Sequence, residues 1–116
     1  MRYKDSSLTL TCKQGSTFSR RLVYKISNQV VVLTGYTARM QVRPDYTSDN
    51  LVVNLTVGNG ITITGATGTI VITITASATS SIPAGTYLYD IELVAPDTTV
   101  QRILEGKFVV TPEVTR

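Results

Sequence analysis

The 116-residue sequence has no His, no Trp and a single Cys, and only 16% of its residues are charged. One cysteine cannot close an internal disulfide, so Cys12 removes the small oxidised scaffolds and fits a chain folded in a reducing cytoplasm. Its phase with Leu8 and Leu10 predicts a buried thiol, whereas a reactive one would want a basic partner in a cleft. Without His, neither a Ser-His-Asp nor a Cys-His arrangement can be assembled, and zinc lacks its usual nitrogen and sulfur ligands. No apolar run approaches the roughly 18 residues that span a bilayer. The opening Met1-Arg2-Tyr3-Lys4-Asp5 leads into a Ser/Thr-rich alternating segment, not the apolar core of a signal peptide. These absences predict no enzyme, no cofactor or metal, and no membrane partner.

What abounds is branching at Cβ: 14 Val, 9 Ile and 19 Thr make up 42 of the 116 residues. Such side chains are stiff at χ1 and suit a pleated surface better than a helix, so the composition predicts an all-β chain. A chain of this length buries roughly two thirds of its unfolded surface around one core, and residues 1–116 read as a single domain.

Alternation of period two recurs along the sequence and assigns faces. Leu8, Leu10 and Cys12 share one face of a first strand. A second, about Phe18 to Ile26, turns Leu22, Tyr24 and Ile26 one way and Arg21, Val23 and Lys25 the other. After a turn at Ser27-Asn28-Gln29, a third alternates Tyr36, Ala38, Met40 and Val42 with Thr37, Arg39, Gln41 and Arg43, and Pro44 ends it. Leu51, Val53, Leu55 and Val57 mark a fourth. Asn59-Gly60 predicts a type I′ hairpin turn, and Gly65-Ala66-Thr67-Gly68 another turn, so that three strands form a meander. In the last of these Ile70, Ile72 and Ile74 face inward, with Thr73 and Thr75 outward. Ala76 to Ile82 is the one helical turn predicted. Tyr87, Tyr89, Ile91 and Leu93 then alternate with Leu88, Asp90 and Glu92. In the final strand, Thr99 to Val110, the phase of Leu104, Phe108 and Val110 would also bury Arg102, a conflict that a bulge near Arg102 or Ile103 resolves.

Seven to nine short strands with turn signals every eight to twelve residues describe an antiparallel β-sandwich with immunoglobulin-like connections, with a six-stranded barrel as the alternative. Pro83-Ala84-Gly85-Thr86-Tyr87 is similar to a tyrosine corner, in which the phenol bonds backbone a few residues upstream.

The net charge of +3 conceals a gradient: residues 1–43 carry eight basic residues against Asp5 alone, and no Asp, Glu, Lys or Arg occurs from Asn50 to Tyr89. Arg39 and Arg43 share a face, and Arg20-Arg21 on a neighbouring strand would extend a positive stripe. The outward positions between them are Thr37 and Gln41, not stacking aromatics, so no nucleic-acid partner is expected. A basic and an acidic region on one chain instead give complementary surfaces for subunit association. The interface candidates are therefore Arg20, Arg21, Arg39, Arg43, Thr73 and Thr75. Because charge normally guards exposed strand edges, the uncharged run predicts Thr faces and edges covered by other subunits. Asp90 and Glu92 resemble a glycosidase pair only in proximity and read as outward polar positions. Asp45, Asp49 and Asn50 read as a polar turn that needs no calcium, and the sequon Asn54-Leu55-Thr56 as a chance match inside a strand.

Several segments carry a family resemblance: Leu33-Thr34-Gly35-Tyr36-Thr37-Ala38-Arg39-Met40-Gln41-Val42-Arg43, Gly60-Ile61-Thr62-Ile63 leading through Gly68 to a Thr/Ile strand, Ile82-Pro83-Ala84-Gly85-Thr86-Tyr87 with Tyr89-Asp90, and Leu104-Glu105-Gly106-Lys107-Phe108 with Thr111-Pro112-Glu113-Val114-Thr115-Arg116. In this order they resemble a family of small proteins of tailed bacteriophages and prophages, and more distantly the N-terminal β-sandwich modules of phage upper-baseplate proteins. The departure is at Ser27-Asn28-Gln29, where a Gly-containing turn is commoner. The resemblance implies an immunoglobulin-like virion protein without catalytic residues, made in the bacterial cytoplasm. It would act as an adaptor at tail, baseplate or fibre attachment through contacts with other virion proteins and with copies of itself. Capsid decoration and host-glycan binding are the alternatives. Tyr24, Tyr36, Tyr87 and Tyr89 on predicted core faces speak against a glycan groove.

Overall fold

A computed structural model of the chain describes residues 7–115, so the reading of the segment Met1 to Asp5 lies outside the described residues. In chain order the elements are β1 (Leu10–Lys13), β2 (Phe18–Val23), β3 (Lys25–Ile26), β4 (Gln29–Val30), β5 (Thr37–Arg43), β6 (Val53–Val57), β7 (Gly60–Thr64), β8 (Thr69–Ile74), α1 (Ala76–Ser80), β9 (Gly85–Val94) and β10 (Val100–Thr111). Eight strands hydrogen-bond in the order β1-β10-β9-β5-β6-β7-β8-β2, while β3 and β4 form a separate hairpin. This path folds over on itself. Phe18 of β2 meets Phe108 of β10 edge to face at 5.5 Å, and Phe108 meets Tyr89 at 6.5 Å, which places β2 and β8 across the core from β10 and β9. The all-β sandwich expected from the sequence is the architecture observed. A short pairing of β6 with β7 joins the layers on one side. On the other side no ladder joins β1 to β2 among the described residues, so the barrel alternative is not realised.

The core is drawn from inward positions of both layers: Met40 and Val42 of β5, Ile70 and Ile72 of β8, Ile91 and Leu93 of β9, and Phe108 of β10 are all essentially buried. Cys12 is buried as expected, and burial pushes its thiol pKa up, which keeps it an unreactive thiol. No helix among the described residues is long and apolar enough to cross a membrane. The helical turn expected after Thr75 is α1, and Tyr87 Oη donates to the carbonyl of Pro83 at 2.6 Å, as a tyrosine corner requires.

The bulge also occurs. The β9–β10 register slips between Arg102 and Leu104, so Ile103 and Leu104 are both buried while Arg102 stays outside. One inserted residue thus reconciles an inward Leu104 with an outward Arg102 two positions before it.

Other expectations change. The second strand breaks at Tyr24, whose N–H donates to Gly68 O and whose carbonyl accepts from Val31 N, leaving Ile26 exposed on the β3–β4 hairpin. Leu8 lies ahead of β1 and is partly exposed, and Leu51 and Val57, assigned inward, are exposed as well. Asn59-Gly60 is not a type I′ turn. The tight turn falls earlier, where Asn59 N donates to Thr56 O with Gly58 at φ 88°, and β6 and β7 pair in parallel across a corner instead of as a meander. The type I′ geometry belongs to Ser27 and Asn28, at φ 52° and 66° in the two-residue β3–β4 loop. Asn tolerates this region better than Ser, and no glycine is used.

The uncharged run from Asn50 to Tyr89 maps onto β6, β7, β8 and the start of β9; β8 lies between β7 and β2 and β9 between β5 and β10, whereas β6 and β7 meet only at Thr56–Gly60 and Val57–Ile61. The strands at the two ends of the sheet are β1 and β2, and they carry Lys13, Arg20 and Arg21. The edge part of the expectation is therefore narrowed: the terminal strands β1 and β2 are guarded by charge, while the uncharged rims of β6 and β7 beyond their short pairing are not.

Candidate functional site

Three strands expose a charged face. Outward positions of β5, β9 and β10 align in rows across the sheet: Arg39 with Glu92 and Arg102, Gln41 with Asp90 and Glu105, and Arg43 with Leu88 and Lys107. Arg39 Nε lies 2.7 Å from Glu92 Oε1, while Arg102 is shared, with Nη1 2.9 Å from Glu105 Oε1 and Nε 3.5 Å from Asp90 Oδ2. Without the bulge Arg102 would point into the core, and Asp90 and Glu105 would face each other with no cation between them.

The loop after β5 rises beside this face. Asp45 Oδ1 accepts from both the backbone N–H and the hydroxyl of Thr47 at 2.9 Å, and those bonds lower its pKa. Arg43 donates to Ser48 O and Gln41 Oε1 at 2.9 Å each, tying the loop to β5. Between loop and sheet lies an open depression of about 250 Å³ with Leu88 in its lining, and Tyr46, 80% exposed, at its border. Its lining carries three carboxylates, Asp45, Asp90 and Glu105, against two guanidiniums, Arg43 and Arg102. Partial burial raises the pKa of Asp90, and the charges of Glu92 and Glu105 add to this against the opposing pull of Arg102 and Arg39.

The opposite layer presents a different surface. Outward from β7, β8 and β2 stand Thr62 and Thr64, Val71 and Thr73, and Ser19, Arg21 and Val23, with Thr62, Val71 and Arg21 in one row. Arg21 is the one charged side chain of this face and has no carboxylate partner among the described residues.

The six positions singled out from the sequence do not converge. Arg39 and Arg43 border the charged face, but Arg20 and Arg21 lie on β2, at the far end of the sheet from β5's neighbours, so no continuous positive stripe forms. Arg20 shares the inner phase of Phe18 and Leu22 and sits near Tyr89, whereas Arg21 points out. Thr73 lies half-buried on the outer face opposite Ser19. Thr75 is not on a strand: its Oγ1 accepts from Ala78 N at 3.2 Å and caps α1. Asp90 and Glu92 stand side by side on one strand, each engaged by an arginine, not across a cleft from one another. Asn54 is outward on β6 and accepts from Gln41 Nε2 at 3.5 Å. Among the described residues no group of His, Cys, Asp and Glu is placed to hold a metal ion. Sequence reasoning missed Tyr46, Leu88 and Glu105; the phase conflict at Arg102 points to Glu105 on the outer face, whereas only the strand order brings Tyr46 and Leu88 beside it.

No family model matches the chain, and no curated protein does. Similar solved structures include CopC from Methylosinus trichosporium OB3b, 11% identical, with 92% of this chain and 89% of that chain covered at a TM-score of 0.49. A likeness of that size carries nothing about ligand or partner. The expected bacteriophage virion role, whether in tail, baseplate, fibre attachment or capsid decoration, is corrected, and with it the host-glycan alternative: no family model and no curated protein matches, and nothing in the comparisons points to a phage structural role. The segments that carried the resemblance have structural duties that a β-sandwich can need whatever its function. Pro83 to Tyr87 forms the tyrosine corner, Gly60 admits Leu55, and Gly106 admits the backbone of Leu8.

Proposed function

We propose that the chain is a non-catalytic domain that associates with copies of itself through the outer faces of its two layers. The observation that carries this reading is the asymmetry of those faces. One is smooth, built of Thr, Ser and Val with Arg21 as its sole charge, and the other is concave, laced with ion pairs and bordered by an exposed tyrosine. Depletion of charge on one surface, with Tyr and Arg exposed on the other, matches the composition of protein interfaces. The charged edges of β1 and β2 disfavour strand-to-strand pairing at the two ends of the sheet, and the broad outer faces offer the larger route. Sedimentation velocity over a concentration series at low and high salt tests it. Weight-average mass should rise with concentration, and less so in high salt. A chain that stays monomeric throughout at low salt overturns the reading.

A further inference from the structure

We infer that the contact between copies is front to back, with Arg21 of one copy seated in the depression between β5, β9 and β10 of the next. This rests on the self-association proposed above and names its geometry. Arg21 projects from a flat face of small side chains, so nothing of similar length beside it on that face hinders its approach to a concave surface. The two outer faces lie on opposite sides of the sandwich, so one copy can offer both at once. The depression supplies what a guanidinium needs. Asp90 and Glu105 are direct cross-strand partners that share one guanidinium, and Arg39 is already committed to Glu92. A second guanidinium relieves the repulsion between these two neighbouring carboxylates. Leu88 gives an apolar surface for the arginine stem, and the exposed ring of Tyr46 offers a face on which a cation stacks. Charge complementarity also sets polarity. A basic knob and an acidic hollow on different faces of one chain make a heterologous contact, which propagates into larger species unless its rotation closes a ring.

Charge variants separate this geometry from self-association in general. Arg21→Ala removes the knob and leaves the hollow; Glu105→Arg fills the hollow and leaves the knob. Each alone should associate about tenfold or more weakly than the wild type. Mixed in equal amounts they should form a dimer and nothing larger, since only one productive contact remains between them. Urea midpoints identify any variant that fails to fold, and Arg21→Gln and Glu105→Gln then take its place, each expected to weaken association in the same direction. A wild type that associates while all folded variants do so equally leaves self-association standing and overturns the Arg21 contact. A mixture of folded single variants that remains monomeric overturns it as well. A monomeric wild type removes both readings.

Discussion

Tyr87 Oη donates a 2.6 Å hydrogen bond to the carbonyl oxygen of Pro83, four residues upstream, at the point where the chain leaves α1 and enters β9. The bond ties the crossover to the strand whose outward side chains Leu88, Asp90 and Glu92 lie on the charged face. Tyr87→Phe keeps the ring and removes the donor. It should lower stability by about 1 kcal/mol, read as a shift of the urea midpoint at unchanged slope. An unchanged midpoint would show that water replaces the phenol at Pro83 without loss.

Gly106 lies opposite Tyr89, and a Cβ there would come within 2.3 Å of Leu8 O, the same oxygen that accepts from Tyr89 Oη at 2.7 Å. Gly106→Ala must displace Leu8 and break that bond, at a cost of about 1–3 kcal/mol. Hydrogen exchange at the Leu8 amide, which donates to Glu105 O, should accelerate more than exchange in β5.

Thr98 ends the Ala95–Thr99 loop at φ 74°, a left-handed position that a β-branched residue occupies poorly. Thr98→Gly should raise stability by roughly 0.5–1 kcal/mol, the strain relieved less the extra freedom of glycine in the unfolded chain. Thermal denaturation with a higher midpoint and an unchanged spectrum is the expected result.

Asp90 and Asp97 should respond to pH in opposite senses. The pKa of Asp90 is raised by burial and by Glu92 and Glu105, so its contribution to stability is present below the unfolded value and lost as pH rises through the folded one. The pKa of Asp97 is lowered by its bonds to Thr99, so its contribution is present above the unfolded value and lost as pH falls. Relative to wild type, Asp90→Asn should therefore gain stability on going from acid to neutral pH, and Asp97→Asn should lose it. Urea titrations at several pH values between acid and neutral check both slopes.

Much of this fold is legible in the sequence. Period-two alternation assigned Met40, Val42, Ile70, Ile72, Ile91 and Leu93 to the core, because on a pleated strand side-chain direction is a local property. The bulge at Arg102–Leu104 and the tyrosine corner were also legible, the first as a conflict of phase and the second as a spacing of Pro and Tyr. Turn chemistry was less so. Asn59-Gly60 has the residues of a type I′ turn, but Gly58 turns the chain first and Gly60 has little room for a side chain beside Leu55, while Ser27-Asn28 takes that geometry without glycine.

Local rules thus established an all-β chain, the inner and outer side of most strand residues, and a buried Cys12. Strand order lay beyond them, because it follows from which apolar faces pack together over long sequence separations. That order decides the meaning of charge in this protein. It puts Lys13, Arg20 and Arg21 on the end strands of the sheet, and Asp90, Glu105 and Arg102 from two strands around one depression. Most strand residues of the uncharged run thus lie among other strands of the sheet, and the charge left to explain is Arg21 on one face and the hollow it matches on the other.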